Sequence, residues 1–99
     1  MNNVFDALSH PIRRQVLELL KRGGMTAGEL ADRFPVSKPT MSGHFAKLKA
    51  AGLIRGENRG GHIIYTLNMS TLEEAVMGFM GRMGVTPPDV GGSAEGEAV

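Results

Sequence analysis

The first apolar cluster, Val4, Phe5 and Leu8, falls at helical spacing and predicts a short helix that stops before Pro11, because the residue preceding a proline disfavours the helical region. Pro11 suits the first turn of a second helix. Its Ile12, Val16, Leu17, Leu19 and Leu20 form one apolar face, and Gly23-Gly24 ends it. Thr26 with Glu29 is a capping box, in which hydroxyl and carboxylate satisfy each other's orphan N–H groups, and it opens a third helix carrying Leu30, Ala31 and Phe34. Pro35 closes that helix, and Ser37 caps a fourth whose Met41, Phe45 and Leu48 make the inward stripe, with Gly52 as a left-handed terminator. The apolar period then changes. Leu53-Ile54 and the alternating Ile63, Tyr65 and Leu67 flank Asn58-Arg59-Gly60-Gly61, the composition of a hairpin turn, so a two-stranded ribbon is expected. Ser70-x-x-Glu73 reads as a second capping box, opening a last helix with Leu72, Val76, Phe79, Met80 and Met83 along one side.

The predicted order α-α-α-α-β-β-α is mainly helical with a small β-hairpin. Helices over 26–34 and 37–51, joined by a tight turn, make a helix-turn-helix whose second helix fits a major groove about 12 Å wide, and the hairpin that follows is a wing. With Met41, Phe45 and Leu48 inward, the outward arc carries Pro39, Thr40, Ser42, Gly43, Ala46 and Lys47, with Ser37 and Lys38 at its start. These are the candidate contacts to double-stranded DNA: hydroxyls suit base edges or phosphates, and lysines supply point charges. His44 lies at the edge of the apolar face, so DNA contact and simple packing stand as equal alternatives. On the wing the candidates are Arg55, Asn58, Arg59 and His62. His10 reads as a cap or loop residue in preference to a ligand, and Arg13 and Arg14 as a solvated face in preference to contacts with the DNA backbone.

Charge divides the 99 residues in two. All 11 Lys and Arg lie at or before Arg82, so residues 1–83 hold 11 basic against 7 acidic side chains, a net of +4, while Asp89, Glu95 and Glu97 follow. A winged helix-turn-helix domain over 1–83 and a disordered acidic Gly/Pro-containing tail over 84–99 are expected, since the tail has too little apolar surface to offset its ordering entropy. The chain has no Cys, which excludes disulfides, iron–sulfur clusters and thiol nucleophiles and suits a reducing cytosol. No apolar run approaches the roughly 18 residues of a membrane span, and the start does not read as a secretory signal, so a cytoplasmic protein is expected. Histidines 34 and 18 residues apart give no zinc spacing, so neither metal nor cofactor is expected. Ser42 and His44, two apart on a helix, do not face each other; nothing pairs a nucleophile with a base, and no catalysis is expected.

Val4, Phe5, Leu8, Leu72, Val76, Phe79, Met80 and Met83 exceed what one small core can cover, which predicts a homodimer seam in preference to a Met-lined effector pocket. Several spaced blocks then carry a resemblance: Ala7-Leu8-Ser9-His10-Pro11-Ile12-Arg13-Arg14, Met25-Thr26-Ala27-Gly28-Glu29-Leu30-Ala31, Ser37-Lys38-Pro39-Thr40-Met41-Ser42-Gly43-His44, Ala51-Gly52-Leu53-Ile54 and Tyr65-Thr66-Leu67. From about Val4 to Arg82 the chain resembles the ArsR family of bacterial winged-helix repressors, and within it the SdpR-type autorepressors. The resemblance implies a homodimer paired through its first and last helices, binding an imperfect inverted repeat in a promoter, often its own. It also implies where this chain departs. Thr26, Gly28 and Ala31 stand where the family's metal sensors use Cys, the last helix has no His, Gly43 replaces a larger polar residue, and Arg59 comes one place late in the wing. A protein-interaction adaptor on the same scaffold is the alternative; the polar and basic Lys38, Thr40, Ser42, Lys47, Arg55 and Arg59 favour DNA. Any inducing signal, whether a sequestering protein or a small-molecule effector, is left open.

Overall fold

A computed structural model describes residues 2–85, so from residue 86 onward the expected tail lies outside the described residues. Helix α1 spans Asn2–Ala7 and α2 Pro11–Leu20, with Pro11 in the first turn as expected. His10 is the N-cap of α2: its Nδ1 accepts the Ile12 N–H at 3.1 Å. Helices α3, Ala27–Ala31, and α4, Lys38–Ala50, form the helix-turn-helix. The Thr26–Glu29 capping box is present in both directions, at 3.0 and 2.9 Å. Helix α3 is shorter than the sequence suggests, because after Ala31 the chain continues in i−3 turns through Phe34. Ser37 caps α4 by accepting the Thr40 N–H at 3.2 Å. At the other end Gly52 has φ +77, and the Leu53 N–H reaches the Leu48 carbonyl at 3.0 Å, the left-handed termination expected there.

The sheet differs from expectation. Besides β2, Ile54–Arg59, and β3, His62–Leu67, the pair Met25–Thr26 forms a short strand β1, and the order is β1-β3-β2, antiparallel throughout. Met25 pairs with Tyr65 and Thr26 with Ile64, so the residue that caps α3 also fastens α3 to the wing. The β2–β3 turn is Gly60-Gly61 between the paired Arg59 and His62; φ values of +58 and +88 at its two central residues are those of a type I′ hairpin, which glycine alone adopts without strain. Helix α5, Met69–Arg82, begins earlier than the Ser70 capping box predicts. Asn68 holds the N-cap position without a side-chain bond to the helix backbone, its Nδ2 donating instead to Thr71 Oγ1 at 2.9 Å.

One core unites these elements. Val4, Ala7, Val16, Leu17, Leu20, Leu30, Met41, Phe45, Leu48, Leu53, Ile54, Tyr65 and Ala75 are buried, with the Phe45 and Tyr65 ring centroids 4.9 Å apart. Val4 is 6% exposed and packs inward, which corrects its assignment to the dimer seam. Leu8 and Leu72 are half-buried against the same core. Phe5, Val76, Phe79 and Met83 remain outside, 37%, 37%, 46% and 63% exposed, and Phe5 meets Phe79 edge to face at 5.7 Å. The first and last helices thus join in one exposed apolar face, with Met80 partly buried at its base.

Candidate nucleic-acid interface

The outward arc of α4 follows from which residues the core takes. Met41, His44, Phe45 and Leu48 are buried, and Lys38, Pro39, Thr40, Ser42, Gly43, Ala46 and Lys47 are exposed. Ser37 and Thr40 are joined at the helix entry, where the Ser37 hydroxyl donates to Thr40 Oγ1 at 2.9 Å while accepting the Thr40 amide. Both hydroxyls are therefore partly committed to the cap, and Ser42 is the exposed hydroxyl without such a partner on this arc. Lys47 leans toward α1, its Nζ 3.5 Å from Asp6 Oδ2, with both side chains more than half exposed. An ion pair of that kind contributes little and exchanges readily with a phosphate.

The wing presents Arg55, Asn58, Arg59 and His62, all exposed. Asn58 Oδ1 accepts the Gly61 N–H at 3.2 Å, so its carbonyl end holds the turn. Arg59 Nη2 lies 3.3 Å from Glu57 Oε1, again on the surface, and His62 pairs across from Arg59 at the tip. Lys49, exposed on α4, adds a second basic side chain beside Lys47 in the last turn, where the helix dipole favours positive charge.

Two residues sit elsewhere than expected. His44 is 8% exposed, with its Nδ1 3.1 Å from Arg13 Nη1 and its ring 4.4 Å from that of His10. Of the two alternatives the sequence offered for His44, packing is the one realised and groove contact is not, because its side chain falls on the inner side of α4 beside α2. Arg13 is likewise buried at 8% exposure, not part of a solvated face: Nε donates to the Ala7 carbonyl at 2.7 Å and Nη2 to that of Asp6 at 3.2 Å. It supplies donors to the end of α1, where helix carbonyls lack partners. Burial, then His10, then Arg13 hold the His44 pKa below the ordinary histidine value.

A helix-turn-helix with a β-wing, an exposed polar recognition helix and basic wing residues define a DNA-binding protein of the winged-helix class. A family model described as a helix-turn-helix domain matches residues 8–57. The chain is 47% identical over 76 residues to the transcriptional repressor SdpR of Bacillus subtilis, covering 77% of this chain and 84% of that one. It is 32% identical over 73 residues to the arsenical resistance operon repressor of Staphylococcus xylosus, covering 74% and 70%. Among solved structures it resembles an ArsR family transcriptional regulator with TM-score 0.77 and 31% identity over 84% of both chains. An ArsR-like regulator from Rhodococcus sp. RHA1 gives TM-score 0.72 and 32% identity over 84% of this chain and 77% of that one. The chain belongs to the ArsR family of DNA-binding transcriptional repressors; it is a regulator and not an enzyme.

Proposed function

We propose that this repressor acts in the cytoplasm as a homodimer on an inverted-repeat operator, with the α4 residues Lys38, Thr40, Ser42 and Lys47 in the major groove and Arg55, Arg59 and His62 of the wing against the flanking backbone. The observation that carries the reading is the pairing of two exposed surfaces on one small molecule. One is the polar arc of α4; the other is the apolar face where Phe5 meets Phe79. A two-fold operation through the second repeats the first, and the operator symmetry follows from the protein's. The half-sites are then about one helical turn apart, near 34 Å. Binding of its own promoter is what the resemblance to the family's autorepressors implies.

Selection of duplexes from a random pool, followed by footprinting, tests the operator, and sedimentation tests the dimer. An inverted repeat protected at two sites on one face, bound by a species of twice the chain mass, is the expected result. A monomer bound to a single half-site would overturn the reading.

A further inference from the structure

Arg13 on α2 and His44 on α4 are 31 residues apart in sequence and meet inside the molecule. A guanidinium has only donors to offer and stays charged throughout the range in which proteins fold. His44 Nδ1, 3.1 Å from Arg13 Nη1, must therefore be the acceptor, with the ring neutral and its proton on Nε2. His10 is committed in the same way, since its Nδ1 accepts the Ile12 amide at 3.1 Å. Two imidazoles 4.4 Å apart thus lie beside a buried cation, each with its Nδ1 lone pair in use. A proton added at His44 Nδ1 would set N–H against N–H and place a second charge against the guanidinium.

The surrounding charges do not relieve that conflict. From α1 the nearby carboxylate is that of Asp6, which pairs with Lys47 of α4. From α2, Arg14 is exposed and donates to the Leu8 carbonyl at 2.7 Å. From β2, which also packs on α4, Arg55, Glu57 and Arg59 are exposed, and the last two pair with each other. Among the described residues no carboxylate pairs with either imidazole.

The cluster links three elements: the end of α1 through the Ala7 and Asp6 carbonyls, the first turn of α2, and the middle of α4 next to Gly43. We propose that Arg13, His44 and His10 are positioning residues for the recognition helix, and that sequence-specific operator binding requires His44 to be neutral. Mild acid then releases α4 from α1 and α2 and blurs operator recognition while leaving attraction to phosphates intact. The inference rests on α4 being the helix that enters the groove, where displacements of an ångström matter.

The test measures affinity for an operator duplex and for a scrambled duplex at constant ionic strength, from about pH 7.5 to about pH 5.5, across the ordinary histidine range. His62 is an exposed histidine on the wing, so wild type is compared with a His62→Gln background. The expected result is a fall of about threefold or more in the ratio of specific to non-specific affinity on acidification, which corresponds to about 0.7 kcal/mol. His44→Asn places an amide oxygen where Nδ1 accepted and cannot titrate; it should abolish the acid loss. His44→Leu neither accepts nor titrates and should lower the ratio at every pH. Should either variant fold poorly, the His44 ring resonance of wild type must titrate together with the affinity ratio. A flat ratio in wild type and in His62→Gln, or an unaltered acid loss in His44→Asn, overturns the proposal. Absence of any operator preference at neutral pH overturns instead the assignment of α4, and this proposal with it.

Discussion

A glycine in mid-helix costs about 0.5–1 kcal/mol relative to alanine, so each one needs a reason. Gly24 has an internal one, though it lies in a turn: a Cβ there would meet Ile64 Cγ2 at 3.0 Å and the Tyr65 carbonyl at 3.3 Å. Gly43, well inside α4, has none, since a Cβ would meet nothing within 4 Å. Gly43→Ala should therefore raise stability by about 0.5–1 kcal/mol in urea titrations and at the same time weaken operator binding, because the added methyl projects from the exposed arc toward the groove. A gain in both would remove Gly43 from the interface. His44 sets the opposite kind of constraint. Its pKa is lowered in the folded protein, so the unfolded chain takes up this proton first as the pH falls. Its part of the stability is complete above the unfolded value of about 6.5 and is lost progressively below it, toward the lower folded value, visible as a decreasing urea midpoint. That Arg13 and His44 belong together was not legible in the sequence. A pairing across 31 positions leaves no periodic trace, and an arginine on an amphipathic helix looks the same whether it faces water or caps the helix beside it.

Among the elements, those fixed by local chemistry were readable. The Thr26–Glu29 box, the Ser37 cap and Gly52 act within four residues of chain, and each appears where spacing places it. Strand β1 was hidden because two residues cannot display alternation; Met25–Thr26 is a strand only because β3 lies beside it. Ser70-x-x-Glu73 satisfied the capping pattern, yet Asn68, whose amide the Leu53 carbonyl accepts at 2.8 Å, lets the chain turn into α5 sooner. On the wing, the Arg59–Glu57 pair is two-thirds exposed at both ends and is held by little. Glu57 therefore competes with a phosphate for Arg59. Arg59→Ala should reduce the magnitude of the salt slope of DNA binding by roughly one to two per dimer, with little change in melting temperature. Glu57→Ala should tighten binding to specific and scrambled duplexes alike. If Glu57→Ala weakens both, the arginine needs its partner for orientation and the competition is absent.

At the scale of the whole molecule, the apolar face on α1 and α5 and the charge distribution along the chain make separate demands. Phe79, 46% exposed, meets Phe5 in an apolar face of the kind that marks an interaction surface. Phe79→Asp should give monomers by sedimentation and a large loss of operator affinity, while the fold survives, because this side chain lies outside the buried core. We expect the residues after Val85 to act through charge. Gly84, at φ +77, and the Val85 N–H bond to the Met80 carbonyl at 2.9 Å complete the helix end, so a chain stopped after Val85 keeps that cap. It loses Asp89, Glu95 and Glu97, and the net charge rises from +1 to +4. We expect its melting temperature to stay within about 4 °C of the full chain, a shift equivalent to less than about 1 kcal/mol. DNA affinity should rise at low salt, since negative charges leave the neighbourhood of the phosphates, and the two chains should converge as salt shortens the Debye length to about 3 Å near 1 M. A truncated chain that melts many degrees lower would show that residues 86–99 pack on the folded domain; one whose affinity gain persisted at high salt would show that they occupy the DNA surface by contact rather than by charge.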